Sequence, residues 1–259
     1  DQILLKAGTT LTDTITPQGS GTEQAPIVIS RYGEGDDPVL EMPSEAAYGI
    51  NLTNVEYWEI RNIAITSELD QKEEIERNSS RLRAAIFIYN NDAGILNHVY
   101  VMDCHIYDIP TYIPPSGGYA ARFFGGIFVN IGVEGTGGKE NKYVDLQLKR
   151  NRIERTSQCG IYFQSYDIAN NGSWDYNLDV HSEKVQVSDN YVDSVGGDGI
   201  MVGWSTGALI EHNIVHNACA NDIDSYAALW VANLHDSVIQ YNECYNTKSW
   251  ADGMAFDDD

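Results

Sequence analysis

Val185-Gln186-Val187-Ser188-Asp189-Asn190, followed a few residues on by Gly199-Ile200-Met201-Val202, decides the fold of this chain. Both halves alternate apolar and polar residues with period two, so each is a strand with one buried face. Working outward, the first half recurs as Trp58-Glu59-Ile60-Arg61-Asn62, Val99-Tyr100-Val101-Met102-Asp103-Cys104, Leu146-Gln147-Leu148-Lys149-Arg150-Asn151, Leu209-Ile210-Glu211-His212-Asn213 and Val238-Ile239-Gln240-Tyr241-Asn242. The second half recurs in step as Gly49-Ile50-Asn51-Leu52, Ala85-Ile86-Phe87-Ile88, Gly126-Ile127-Phe128-Val129, Gly160-Ile161-Tyr162-Phe163, Ala228-Leu229-Trp230-Val231 and Gly253-Met254-Ala255-Phe256. Two motifs repeated in fixed order, at irregular periods of roughly 23 to 41 residues, mark a solenoid with variable insertions.

One such turn cannot bury its apolar face, but stacked turns can, each strand pairing in parallel about 4.8 Å above and below. The asparagines belong at a tight bend, where Asn tolerates the left-handed conformation and its amide can bond the Asn of the next turn. A β-sandwich would need regularly spaced hairpin turns, and those are scarce. The sequence therefore predicts an all-β, single-stranded right-handed parallel β-helix of about seven to eight turns. Residues 1–47 read as an N-terminal cap turn and residues 48–259 as the β-helix. Its last segment looks like the start of a turn without a cap, which suggests a truncated C-terminal end.

The composition narrows the partners. The net charge is −22, with 38 acidic against 16 basic residues, which argues against nucleic acid. No apolar run is long enough for a membrane span. The four cysteines form no disulfide or zinc pattern and read as free buried thiols.

The outward position of the second motif carries Asn51, Phe87, Phe128, Tyr162, Met201, Trp230 and Ala255. Such a stripe needs either a cover or a ligand, and sugars stack their C–H faces on aromatic rings. Phe128, Tyr162, Trp204 and Trp230 are thus candidate sugar platforms, with loops 110–124 and 165–178 as the alternative cover. Carboxylates gather toward the C-terminal turns. Asp198 and Asp252 precede the glycine of their strands two turns apart, roughly 9.6 Å by strand spacing. That is at the long edge of the separation used by inverting glycosidases, about 6.5–9.5 Å. Asp222 and Asp224 enter between them, and Asp257 and Asp259 share one face of the last strand, beside Trp204 and Asn233. Paired carboxylates can supply a general acid and a base or nucleophile. They could equally hold Ca²⁺, which takes six to eight oxygens, so no cofactor is required but calcium is open. An Asp-Gly before a strand is also an ordinary turn.

Gly21-Thr22-Glu23-Gln24-Ala25-Pro26-Ile27-Val28-Ile29, Val55-Glu56-Tyr57-Trp58-Glu59-Ile60-Arg61-Asn62-Ile63 and Asp252-Gly253-Met254-Ala255-Phe256-Asp257 with Asp259 resemble secreted right-handed β-helix proteins of the pectate-lyase-like superfamily, found in polysaccharide-degrading bacteria. The resemblance implies a secreted, cell-surface or periplasmic protein whose partner is a carbohydrate polymer or oligosaccharide. It implies aspartate chemistry at Asp252, Asp257 and Asp259, with Asp198 added by position. The leading expectation is a glycoside hydrolase. A Ca²⁺-dependent polysaccharide lyase and a non-catalytic glycan binder are the alternatives, and the scarcity of Lys and Arg near the aspartates counts against the lyase.

Overall fold

The computed structural model describes residues 1–69, 82–112, 123–132, 141–165, 181–221, 225–249 and 252–258. Among these the chain forms strands and no helix, so no helix is long and apolar enough to cross a membrane. The strands lie parallel in three stacks, and the chain visits each stack in turn.

The first stack holds the small-Ile strands, Tyr48–Thr53, Ala84–Asn91, Gly125–Gly132, Cys159–Ser165, Ile200–Thr206, Tyr226–His235 and Asp252–Asp258. The second runs from Gln2–Lys6 and Ile27–Tyr32 through Trp58–Arg61, Ile95–Met102, Lys142–Lys149 and Gln186–Ser188 to Leu209–Glu211 and Val238–Gln240. The third is 8-stranded, from Thr10–Thr12 and Val39–Met42 to Glu243–Tyr245. Residues 1–47 thus supply strands in register with the second and third stacks. The arrangement is a solenoid of the β-helix type.

The lumen is filled by aligned aliphatic columns. Ile86, Ile127, Ile161 and Ile200 are paired neighbours in the first stack, and Val101, Leu148, Val187 and Ile210 in the second; all are fully buried. Each contributes about 1.5–3 kcal/mol by leaving water. The small residue before each Ile has a steric cause. A Cβ on Gly160 would lie 2.5 Å from the Gly199 carbonyl oxygen, and one on Gly199 would lie 2.3 Å from that of Ala228. The next turn passes too close for a side chain there.

Four asparagines are joined from turn to turn. The Asn151 amide nitrogens, backbone and side chain, both donate to Asn190 Oδ1 at 3.0 Å. Asn190 donates likewise to Asn213 Oδ1, and Asn213 to Asn242 Oδ1. Each side-chain amide also donates to a carbonyl of the preceding turn, such as Leu148 O for Asn190. Above Asn151 the column continues through Cys104, whose backbone N–H donates to Asn151 Oδ1 at 3.1 Å.

Two expectations about this bend need correction. Asn62 does not occupy the column: His105 pairs with Ala64, so Cys104 lies over Ile63 and Asn62 over Asp103. Nor do the column asparagines take the left-handed conformation. That falls on the residue before: Asn62, Asp103, Arg150, Asp189, His212 and Tyr241 have φ between 51° and 58°. The division of labour is physical: one residue turns the chain, and the next turns its amide inward to satisfy the backbone groups the bend frees.

No disulfide joins the four cysteines, and burial pushes the Cys104 and Cys244 thiols up to about 12.

Candidate functional site

The outward row of the small-Ile stack pairs as read, Asn51 with Phe87, then Phe128, Tyr162, Met201 and Trp230. It is not an open stripe. Phe128 is 2 % exposed, Tyr162 0 % and Trp204 6 %. Phe123 lies over two of them, its ring centroid 5.7 Å from Phe128 and 4.8 Å from Tyr162. Phe124 meets Phe128 edge-on at 5.0 Å. These rings form a second apolar cluster outside the lumen, so Phe128, Tyr162 and Trp204 present no free face for a sugar. Trp230 differs: it is half-buried, with Tyr162 edge-on at 6.2 Å behind it.

The row does not continue from Trp230 to Ala255. Between Tyr226 and Ala227 the pairing slips, so Tyr226 faces Asp252 but Ala227 faces Met254. Trp230 then pairs with Asp257, and that carboxylate stands beside the indole instead of beside Trp204 and Asn233. Nor are Asp198 and Asp252 equivalent, since Asp252 pairs with Tyr226. Ile200 pairs with Leu229, which puts Asp198 level with Ala227 and not with Tyr226. Asp252 and Gly253 absorb the extra residue with φ of 56° and 63°. A bulge of this kind re-aims a side chain, and left-handed non-glycine residues beside a cleft are functional candidates.

At the slip lies a pocket of about 100 Å³ lined by Asp198, Ser225, Tyr226, Ala227, Trp230, Asp252 and Asp257. Three of the aspartates singled out from the sequence, with one of the four aromatic candidates, therefore meet in one place. Asp259, Asp222 and Asp224 lie outside the described residues. Asp252 is exposed, Asp257 half-buried and Asp198 fully buried. Asp198 Oδ1 accepts a hydrogen bond from the Ala227 backbone N–H at 3.0 Å. The Tyr226 hydroxyl donates to Gln158 Oε1 at 3.1 Å, and the Gly197 N–H to the Gln158 carbonyl at 3.1 Å, which ties this wall to the turn above. Ser225 and Tyr226 also line the pocket, and no motif in the sequence marks them.

Among the described residues, no group of three or more His, Cys, Asp or Glu side chains is arranged to hold a metal ion. Another polar group is bonded within itself, on the outer face of the second stack. There His98 Nε2 meets Glu59 Oε1 at 2.7 Å, Arg61 pairs with Glu59, and the Tyr100 hydroxyl donates to Asp145 Oδ2 at 2.5 Å.

The fold and pocket define a parallel β-helix protein with an acidic, tryptophan-walled cleft. No family model matches the chain. It is 23 % identical to the lacto-N-biosidase of Bifidobacterium longum subsp. longum, over an alignment covering all of this chain and 21 % of that protein. Among solved structures it is similar to the GH136 lacto-N-biosidase of Eubacterium ramulus. The native form superposes with a TM-score of 0.76 at 19 % identity, covering 99 % of this chain and 48 % of that one. The selenomethionine form gives 0.76 at 18 % identity, covering 100 % and 50 %. The chain thus spans about a fifth of the curated relative and about half of the solved one. At this identity the structural likeness shows the fold.

Proposed function

We propose that this chain carries the active-site region of a secreted glycoside hydrolase acting on an oligosaccharide, with Asp252 as the acid or nucleophile. The meeting of Asp252, Asp257 and Trp230 in one pocket carries this reading, and the likeness to lacto-N-biosidases supports it. Asp257 or Asp259 is the partner carboxylate. Glycosidic cleavage needs one carboxylic acid to protonate the leaving oxygen and one carboxylate on the other side of the sugar ring. Retention follows if the pair stands about 5–5.5 Å apart, and inversion if they stand about 6.5–9.5 Å apart. Trp230 offers the sugar an apolar face at the pocket wall. The reading requires no metal.

A lyase needs a base to take the proton beside a uronate carboxylate. The described lining contains no Lys, Arg or His, and the hydroxyl of its tyrosine is turned to Gln158 Oε1, which favours hydrolysis. The test is an oligosaccharide and polysaccharide panel, scored for new reducing ends and for unsaturated products. New reducing ends alone, lost in Asp252→Asn, support the hydrolase; unsaturated products mean a lyase; binding without products means a glycan binder.

A further inference from the structure

We infer that Asp198 is a positioning residue: its buried carboxylate pins the register slip that aims Asp252 into the pocket. This rests on the hydrolase reading for its consequence in catalysis, but not for its structural content.

Asp198 is 0 % exposed, whereas Asp252 is exposed. A carboxylate is rarely buried so completely unless it is bonded, because its desolvation is costly. One of its bonds reaches the residue at the slip. Asp198 Oδ1 accepts from Ala227 N–H at 3.0 Å, while the Gly199 N–H donates to the Ala227 carbonyl at 3.2 Å. The Asp198-Gly199 segment therefore holds both backbone groups of Ala227, the first residue beyond the slip. Tyr226, the last residue before it, is the one paired with Asp252. Moving Ala227 would move the partner of Asp252, and with it the carboxylate.

The upstream turns provide the contrast. The residues before the small-Ile motif there are Ala84, Gly125 and Cys159, and those strands pair with one another without a slip. A carboxylate stands at this position one strand before the pairing that slips, on the strand that pairs regularly with that of Ala227 and reaches across to its N–H. A charged acceptor bonded to a backbone N–H is shorter and stronger than a neutral one, which suits a place where the ladder is interrupted. The bond does not need the charge to exist, however. An asparagine Oδ1 can accept the same N–H, whereas a reacting carboxylate cannot be replaced by an amide.

That difference is the test. Asp198→Asn, Asp198→Ala and Asp252→Asn are compared with wild type for kcat, KM and pH profile on an oligosaccharide that the wild type cleaves, with amide exchange at Ala227 measured by NMR. A displaced catalytic group costs on the order of 100-fold. Asp198→Ala should therefore lose roughly 10–100-fold in kcat with little change in KM, and its Ala227 amide should exchange faster. Asp198→Asn should stay within about tenfold of wild type, keep the pH profile and protect Ala227. If Asp198→Asn is as silent as Asp252→Asn, Asp198 is a reacting group and the inference is overturned. Wild-type kcat in Asp198→Ala overturns it as well. Should Asp198→Ala fail to fold, Asp198→Asn against Asp252→Asn still decides. If the wild type cleaves nothing, the hydrolase reading fails by itself. The exchange rates then judge the slip: unchanged protection in Asp198→Ala refutes it, and loss restored by Asn upholds it.

Discussion

The two ends of each circuit treat the backbone differently. At the bend after the second stack, Asn151, Asn190, Asn213 and Asn242 repeat one hydrogen-bonding pattern, and each turn is a copy of the last. At the start of the last small-Ile strand the pattern is broken: the register slips, Asp252 and Gly253 turn left-handed, and between the two strands before it a buried carboxylate accepts the Ala227 N–H. Repetition lets each turn serve as the template for the next and stabilises the column. The break directs side chains that a regular strand would place elsewhere. On the proposed function, stability and chemistry fall to different edges of the same solenoid.

The comparison can be broken most severely at Asp252. Asp252→Asn should lower turnover by about 10³-fold or more, roughly 4 kcal/mol of barrier, while the thermal midpoint changes by less than about 1 kcal/mol in stability terms. Kinetics and calorimetry on one preparation check both halves. A large stability loss with turnover intact would make Asp252 a turn former.

The ladder side should show the opposite signature. Asn190→Ala removes the acceptor of two Asn151 donors and a donor to Leu148, all buried. It should cost about 2–4 kcal/mol, since unpaired buried groups cost about 1–3 kcal/mol each and the bonds are coupled. Asn62→Ala, outside the column, should cost only about 1 kcal/mol, from the left-handed φ that Ala tolerates less well. Denaturant titration separates the two; equal costs would contradict the register.

Gly199→Ala probes how closely turns pass. Its Cβ would meet the Ala228 carbonyl and Val215 Cγ1, each at 2.3 Å. A loss of about 1–3 kcal/mol is expected, whereas tolerance of the methyl group would show that the turns can separate.

The smallest effect concerns Glu154, held by Arg152 and His105 on the outer face of the third stack. The Arg152 hydrogen bond holds its carboxyl below the usual carboxylate range. Its contribution is therefore present above the unfolded value and fades as the pH falls through the lowered folded value. Because Arg152 is half exposed, Glu154→Gln should cost no more than about 1 kcal/mol at neutral pH. Stability curves of variant and wild type should converge in acid; a constant gap would assign the effect to packing.

The stacks were legible because period-two alternation and a repeated Asn both survive in a single sequence. The exact bend position was less so: Asn62-Ile63 and Arg150-Asn151 look alike until pairing shows which residue lies in the column. The aspartates could be gathered by turn counting, but counting assumes regular register. The motif places Ala255 beside Trp230 and Asp252 level with Ala227, but the strands are already one residue off that register at Tyr226–Asp252, and the slip adds a second, which brings Asp257 to Trp230. The aromatic stripe was read in correct order down to Trp230, yet its cover was not decidable, since Phe123 and Phe124 come from a segment with no periodic signal.

The most direct test of the central claim is a crystal structure of Asp252→Asn with an oligosaccharide that the wild type cleaves. A sugar ring stacked on Trp230, with its glycosidic oxygen between residue 252 and a partner carboxylate at Asp257 or Asp259, is the expected result. A sugar bound on the outer face of the second or third stack, with the pocket at the slip empty, would contradict it.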